Sequence, residues 1–271
     1  MKKPNEIFGF PTANTTSNVI VARKKYNCPY LSRRCNKISR GIKYPMGVCS
    51  AVYNNEYPII CPQRFLENNM VFVDVCNEIF GSTNNILVFS EVKIKNVGSF
   101  DFVLVKHKPI SNEIEDFCIV ELQSDSTTGT GKLVNALKDF MQGNAMQDTY
   151  NFGLNTYNTI KLSYIQMLIK GQVMEKWQKN IIWVMQKYVF DNMQNRFVLK
   201  NLNYDKNIYT KYFIYDLVAG NNIFNIKLID RKSSTISNLL TAFNSQPIPN
   251  INTFTAVLKR KIQLNLGIRI H

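Results

Sequence analysis

Three apolar segments follow one another in the middle of the chain, and each has the composition of a β-strand. They are rich in Val, Ile, Leu and Phe, are bounded by polar or glycine-containing turns, and span residues 86–95, 100–106 and 117–124. Helical patterns stand on both sides of this block, at residues 67–80 and 132–146. A sheet needs other elements to cover its faces, so this order predicts an α/β fold with a mixed sheet flanked by helices.

The second half of the chain continues the alternation of helices and strands. The pattern predicts a long helix at residues 159–177 and a buried strand at 180–184. Two further strands are predicted at 212–218 and 223–229. The part from residue 234 onward is predicted to be helical, with a break at Pro247 and Pro249.

Length and composition limit the class of protein. With 271 residues and 45% apolar residues, the chain can bury a large core. No apolar run approaches the roughly 20 residues that span a bilayer, and the first ten residues lack the apolar core of a signal peptide. We therefore expect a cytoplasmic, bacterial-type protein with no membrane partner. Thiols stay reduced in that compartment, so clustered cysteines indicate a metal site rather than disulfides.

Basic residues are concentrated at the two ends of the chain. Lys and Arg total 33 against 19 Asp and Glu, which gives a formal net charge of +14. Residues 1–67 carry a net charge of +8 and residues 231–271 carry +6, whereas the segment between them is neutral. Lys and Arg gain free energy by displacing counterions from phosphates, so this distribution favours a polyanionic partner. A solubilising surface and a basic helix lying on a membrane are the alternatives.

Acidic residues cluster within this basic chain. Seven of the 19 lie between Glu91 and Asp125. In the third predicted strand, Glu121 and Gln123 are two positions apart and project to the same face. A carboxylate in an apolar strand is costly unless it is paired or binds a cation. Asp101, at the edge of the neighbouring strand, can share one Mg²⁺ with Glu121, because this hard ion prefers oxygen ligands.

An Asp followed downstream by Glu-x-Lys is typical of a large group of nucleases, and the chain fits this pattern in two frames. The first frame replaces the Lys by Gln, and the second keeps it: Asp101 with Glu121-Leu122-Gln123, and Asp74 with Glu91-Val92-Lys93. The second frame places Asp74 in a predicted helix and assigns no function to the buried Glu121. Spacing alone leaves both frames open, as it does the alternative that these are solvent-facing acids.

Four cysteines stand in the basic N-terminal segment with the spacing C-x6-C-x13-C-x11-C: Cys28, Cys35, Cys49 and Cys61. Four thiolates can close a tetrahedral site for zinc or iron, and four unrelated buried thiols are the alternative. Cys76 and Cys118 lie in apolar predicted elements, where we expect core thiols. Because the chain has only 2 histidines, sites that need several histidines are excluded.

Short motifs in a fixed order resemble the NotI family of type II restriction endonucleases. They extend over residues 20–190 and are Cys28-Pro29-Tyr30-Leu31, Gly47-Val48-Cys49, Cys61-Pro62-Gln63-Arg64, Ile79-Phe80-Gly81, Ser99-Phe100-Asp101, Val120-Glu121-Leu122-Gln123, Tyr164-Ile165-Gln166-Met167 and the stretch 183–188. The cysteine spacings and the chain length differ from those of the family, and no motif matches beyond residue 190. The resemblance therefore does not predict which DNA sequence this chain recognises.

The resemblance implies a restriction-endonuclease-like core of the PD-(D/E)XK superfamily, in a variant with Gln in the place of Lys. It favours the first frame, in which Asp101 and Glu121 bind catalytic Mg²⁺ and Gln123 positions the attacking water. Glu91 is matched to the upstream catalytic Glu of the family. The resemblance also implies a small N-terminal module with one structural iron, or zinc in its place, held by the four cysteines: Cys28, Cys35, Cys49 and Cys61.

The expected organisation is a basic, metal-binding module at residues 1–66 and a nuclease core with a C-terminal extension at residues 67–271, or one integrated domain. Four basic side chains of the module are expected to contact double-stranded DNA: Arg33, Arg34, Arg40 and Lys43. A palindromic target would require a homodimer, and a cognate DNA methyltransferase would protect the host. A repair or junction-resolving nuclease with the same core and a non-enzymatic, metal-stapled DNA-binding protein remain as alternatives.

Overall fold

The protein folds around a six-stranded mixed sheet. The structure is a computed structural model that describes residues 1–111, 113–199, 202–220 and 223–270. The strands of these residues are β1 (Lys2–Ile7), β2 (Phe10–Pro11), β3 (Asn27–Cys28), β4 (Arg33–Arg34), β5 (Val48–Tyr53), β6 (Ile86–Ile94), β7 (Gly98–His107), β8 (Ile114–Gln123), β9 (Thr127–Thr128), β10 (Gly153–Leu154), β11 (Asn180–Gln186), β12 (Thr210–Gly220) and β13 (Ile223–Ser233). The helices are α1 (Ser17–Lys24), α2 (Met70–Phe80), α3 (Thr130–Met141), α4 (Thr156–Trp177), α5 (Lys187–Arg196), α6 (Ile236–Asn244) and α7 (Ile251–Gln263).

The central sheet has the strand order β13-β12-β11-β8-β7-β6. Strands β6, β7 and β8 are joined in antiparallel fashion, β8, β11 and β12 run parallel, and β13 returns antiparallel on β12. The parallel strands at the centre are nearly continuous apolar runs, as expected for strands that are buried on both faces. The predicted α/β fold, a mixed sheet flanked by helices, is confirmed.

Helices cover both faces of this sheet, and each face has its own apolar core. On one face α4, α5 and α6 pack with residues that include Trp183, Met167 and Tyr212. On the other face α2 packs with residues that include Phe65 and Phe213. Along β8, Val120 and Leu122 face the α2 side, so the period of two turns Glu121 toward α4.

The N-terminal part forms a smaller layer beside the sheet. Strands β1 and β5 pair in antiparallel fashion, and α3 packs against β1 in a third apolar cluster. A buried ion pair links this layer to the rest, because Arg64 Nε lies 3.1 Å from the Glu6 carboxylate and its Nη2 donates to the carbonyl of Phe224. The division of the chain at residue 66 stays a prediction.

Element boundaries agree with the predicted ones to within a few residues at most positions. The helix predicted at 67–80 begins at Met70, because residues 62–69 form a 3-10 segment interrupted by non-helical backbone at Glu67 and Asn68. The helix predicted at 132–146 ends at Met141. Several elements were not predicted, namely helices α1 and α5, strands β1 to β5, and the short strands β9 and β10.

The C-terminal helix α7 contributes no side chain to a core. Every residue from 251 to 270 is exposed, and its apolar side chains include Phe254, Leu258 and Ile262. Helix α7 therefore does not pack against the described part of the chain. Among the described residues, no helix has the length and apolar character needed to cross a membrane.

Candidate active site

Two carboxylates lie side by side on neighbouring strands. Phe102 of β7 pairs with Val120 of β8, so the next residues along the two strands, Asp101 and Glu121, are adjacent. Both turn toward α4, because Phe102 and Val120 pack on the α2 side. The antiparallel register therefore places the two acids of the first frame in one site.

Hydrogen bonds hold the two carboxylates in different surroundings. Asp101 is half-buried, and its Oδ2 accepts the Leu122 backbone N–H at 2.9 Å. Glu121 is 1% exposed and accepts the backbone N–H of Asp101. Burial, together with the nearby charge of Asp101, raises the pKa of Glu121 to about 7, although a hydrogen bond from Lys170 lowers it. The negative charges of the two carboxylates therefore repel each other where little water is present to screen them.

Lys170 of α4 is the cation of this site. Its Nζ lies 2.7 Å from Glu121 Oε1 and 2.8 Å from the carbonyl oxygen of Ser99. The residue is 5% exposed, and its ammonium lies over the rings of Phe100 and Trp183. An ammonium buried among apolar groups requires such acceptors, so Lys170 and Glu121 are held in fixed positions.

Polar side chains of α4 meet polar side chains of β8, and of the segment just after it, at three successive levels. Thr156 donates to Asp125 Oδ2 at 2.5 Å, and Ser163 donates to Gln123 Oε1 at 2.5 Å. The third level is the pair of Lys170 and Glu121. The helix residues are seven apart, which brings them to one face of α4. On β8, Glu121 and Gln123 are two apart and also share a face, and Asp125 follows two residues after the end of the strand.

Glu91 lies at the margin of the site. Ser90 and Val92 pair with Phe102 and Phe100, so Glu91 stands opposite Asp101. Its side chain is exposed, and its backbone has a left-handed φ of 55°, which interrupts the regular alternation of β6. Within the described ranges, its side chain has no hydrogen bond or ion pair.

The structure separates the residues of the second frame. Asp74 lies in α2, on the opposite face of the sheet, and its Oδ2 accepts the hydroxyl of Tyr215 at 2.7 Å. Lys93 is exposed on the edge strand β6. Asp74 therefore has a local structural partner and lies apart from Glu91.

The four cysteines of the N-terminal segment line one small cavity. Cys28 and Cys49 lie in β3 and β5, Cys35 follows β4, and Cys61 precedes the 3-10 segment. No disulfide joins them in the described residues. Burial raises the pKa of Cys28, Cys49 and Cys61, and the mutual repulsion of the thiolates adds to the effect. The fold thus brings together four thiols from different strands and turns of the N-terminal segment.

Two of the cysteines stand in matching turns. In Cys28-Pro29-Tyr30-Leu31 and Cys61-Pro62-Gln63-Arg64, the backbone N–H groups two and three residues after the cysteine donate to its sulfur. Such bonds favour the thiolate, which is the form that binds a metal. As the side chains are placed, no three or more His, Cys, Asp or Glu of the described residues form a metal-binding group.

The basic residues expected to contact DNA are all at the surface. Arg33 and Arg34 form β4, which pairs with β3 at Cys28. The guanidinium of Arg34 lies over the ring of Tyr26. Arg40 and Lys43 are exposed in the loop before β5.

Comparison with known protein families identifies a matching family. A sequence model described as restriction endonuclease NotI matches residues 20–228, which is most of the chain. The chain belongs to the NotI restriction endonuclease family. No curated protein matches at a significant level.

Membership of the NotI family establishes the general activity and substrate, which are those of a nuclease that cleaves DNA. The match includes β8, α4 and the four cysteines. It also extends to residue 228, beyond the motifs recognised in the sequence, which end near residue 190. The C-terminal strands β12 and most of β13 are therefore part of the NotI-like region.

Sequence reasoning missed Ser163 and Lys170. A signal was present, because both lie on the face of α4 that carries the core residues Ile160, Met167 and Met174. Polar residues at heptad spacing on a buried helix face indicate polar partners in the neighbouring element. The partners themselves could not be read from this pattern.

Proposed function

We propose that this chain is a type II restriction endonuclease that hydrolyses phosphodiester bonds at a specific site in double-stranded DNA, with Mg²⁺ held by Asp101 and Glu121. The observation that carries the proposal is the adjacency of these two carboxylates on β7 and β8. They belong to a chain whose family cleaves DNA. The arrangement of the two acids with Gln123 on one face supports the assignment of a PD-(D/E)XK site with Gln in the place of Lys.

The donor set suits Mg²⁺. Asp101 and Glu121 supply carboxylate oxygens, and a divalent cation held by both would relieve their mutual repulsion. Protein sites for Mg²⁺ commonly use one or two carboxylates, with water and substrate phosphate completing the shell. Bound there, the ion would polarise the scissile phosphate and lower the pKa of a water molecule.

Gln123 and Glu91 supply the other functional groups. Ser163 donates to Gln123 Oε1, which leaves the amide NH₂ of Gln123 to hold the attacking water. Gln123 has no charge and takes up no proton, so it orients rather than deprotonates. Glu91 stands opposite Asp101 with an exposed carboxylate, and we assign it the role of auxiliary ligand or base.

We propose that the four cysteines bind one structural iron, with zinc as the alternative. The shared cavity and the N–H groups directed at Cys28 and Cys61 support this ligand set. A metal there would join β3, β5 and the segment at Cys61, and would order the hairpin that carries Arg33 and Arg34.

The exposed basic residues of the N-terminal segment would then face double-stranded DNA. A palindromic target requires two active sites related by twofold symmetry, so the proposal includes a homodimer. A host that carries such an enzyme needs protection of its own sites, which a cognate DNA methyltransferase would supply.

The test is cleavage of plasmid and phage DNA by the purified chain with Mg²⁺, followed by sequencing of the ends. Asp101→Ala and Glu121→Ala are each expected to slow cleavage roughly 100-fold or more, because each removes several kcal/mol of transition-state stabilisation. Glu115→Ala is the matched control, since Glu115 is an exposed carboxylate on the same strand β8.

Full cleavage by either active-site variant contradicts the assignment of Asp101 and Glu121. Fragments with uniform ends at one sequence support a restriction enzyme. Cleavage only at junctions or lesions, without sequence preference, supports a repair or junction-resolving nuclease instead.

A further inference from the structure

The candidate active site contains a positive charge that its strand residues, Asp101, Glu121 and Gln123, do not supply. In the nuclease motif that the chain resembles, the position of Gln123 corresponds to Lys, and Gln123 is uncharged. Among the described residues, Lys170 is the basic residue whose side chain contacts Asp101, Glu121 or Gln123. Its ammonium comes from α4, 49 residues after Glu121 along the chain.

The contacts of Lys170 join both strands of the site. One hydrogen bond reaches Glu121 on β8, and the other reaches the carbonyl of Ser99 on β7, two residues before Asp101. The backbone N–H of Asp101 donates to the same Glu121 carboxylate. Glu121 is therefore held between β7 and α4, and its orientation depends on Lys170.

A purely structural role does not account well for this pair. Both side chains are almost fully buried, at 7% and 2% exposed for Lys170 and Glu121. Buried ion pairs contribute little net stability, because the desolvation cost offsets their attraction. The surrounding residues Phe100, Trp183 and Met167 form an apolar core that two apolar side chains could complete.

We propose that Lys170 is the positioning residue of the active site, and that its ammonium, delivered from α4, orients the Glu121 carboxylate for Mg²⁺ and the scissile phosphate in place of a lysine at position 123. This inference rests on the proposed function. It assigns to α4 a part of the site that the strand motif alone does not contain.

Single-turnover cleavage at saturating Mg²⁺ tests the proposal, with DNA binding measured separately in the absence of Mg²⁺. Lys170→Met is expected to slow cleavage by about 10–100-fold, the usual effect of removing a group that orients a metal ligand, with DNA affinity unchanged. Lys170→Arg keeps the charge and is expected to cleave faster than Lys170→Met. Lys176→Met is the matched control, because Lys176 is exposed on the same helix, and it is expected to cleave at the unchanged rate.

Moving the positive charge from position 170 to position 123 tests the role of the charge itself. A purely structural role of Lys170 predicts no recovery of the cleavage rate when the charge is moved. In the double variant Gln123→Lys/Lys170→Met, the ammonium projects from β8 to the same face as Glu121. This variant is expected to recover at least part of the rate that Lys170→Met loses. Its site keeps one cation beside Glu121, so it also replaces Lys170→Met as the test if the single variant does not fold.

The outcomes separate the two proposals. If the unchanged chain cleaves no DNA, the proposed function fails. If it cleaves and Lys170→Met cleaves as fast, the role of Lys170 is overturned. Folded Lys170→Arg and double variants that are both as slow as Lys170→Met overturn the role of its charge. A folded double variant without any activity overturns it as well when the single variant does not fold.

Discussion

The hydroxyl of Ser163 lies 2.5 Å from Oε1 of Gln123 and donates a hydrogen bond to it. The same hydroxyl lies 2.8 Å from the carbonyl oxygen of Thr159, one turn earlier in α4. Ser163 is 2% exposed, whereas Gln123 is half-buried. The helix thus determines which way the amide of Gln123 points.

Removing this hydroxyl is expected to release Gln123. In Ser163→Ala, the amide can rotate, so the attacking water loses its orientation and cleavage slows by about tenfold. DNA affinity is expected to stay the same, and single-turnover rates measure the effect. Gln166→Ala is the control, because Gln166 is exposed on the same helix. An unchanged rate in Ser163→Ala would mean that the orientation of Gln123 does not limit the reaction.

Glu91 provides a test with little interference from folding. Its side chain is exposed, so Glu91→Gln is expected to change the free energy of unfolding by less than about 0.5 kcal/mol. If the carboxylate acts as an auxiliary ligand or base, cleavage is expected to slow by about tenfold or more. Lys93→Ala, on the same strand, is the control. Wild-type cleavage by Glu91→Gln would remove Glu91 from the site.

Replacement of Arg64 is expected to destabilise the protein strongly. Arg64 is fully buried and pairs with Glu6 and Glu67, which are also buried. Arg64→Met leaves two buried carboxylates without their cation, and breaking such a pair costs about 3–5 kcal/mol. Urea denaturation of this variant beside Arg40→Met, at an exposed position, measures the difference. A loss no larger than that of Arg40→Met would contradict the buried arrangement.

The four-cysteine proposal predicts about one metal ion per chain. Cys49→Ser is expected to lose the metal and to lower the unfolding temperature, because a structural metal links segments distant in sequence. Cys118→Ser, in the core of the sheet, is expected to keep the metal. Elemental analysis counts the ion, and visible absorbance distinguishes iron from colourless zinc. Full metal content in Cys49→Ser, or none in the unchanged chain, would contradict the proposal.

The hairpin at Arg33 and Arg34 makes a prediction about salt. If both side chains contact phosphates, Arg33→Ala/Arg34→Ala is expected to lower the slope of log affinity against log salt concentration by roughly 1.8, at about 0.9 per contact. The double variant Lys24→Ala/Lys25→Ala removes the same charge from exposed positions at the end of α1. Equal slopes for the two double variants would remove the hairpin from the DNA interface.

The central strands were predictable because their signal is local. Strands β6, β7 and β8 are apolar runs with polar boundaries, and the predicted and observed ranges differ by at most a few residues. By contrast, β1 has the sequence KKPNEI, with two lysines and a proline. It becomes a strand because it pairs with β5, more than 40 residues away. Helix α5 was missed because it follows β11 directly, without the polar turn that usually marks a boundary.

The sequence by itself determined the strands of the central sheet, the period of two that puts Glu121 and Gln123 on one face, and the cysteines proposed as one ligand set. Motif spacing left both Asp101 and Asp74 open, the resemblance to the NotI family favoured Asp101, and nothing in the sequence indicated Lys170. Only the tertiary structure shows which side chains meet, because strand register places Asp101 beside Glu121 and helix packing brings Lys170 Nζ within 2.7 Å of the Glu121 carboxylate. Periodicity specifies which face a side chain takes, whereas the partner on that face depends on how distant elements pack.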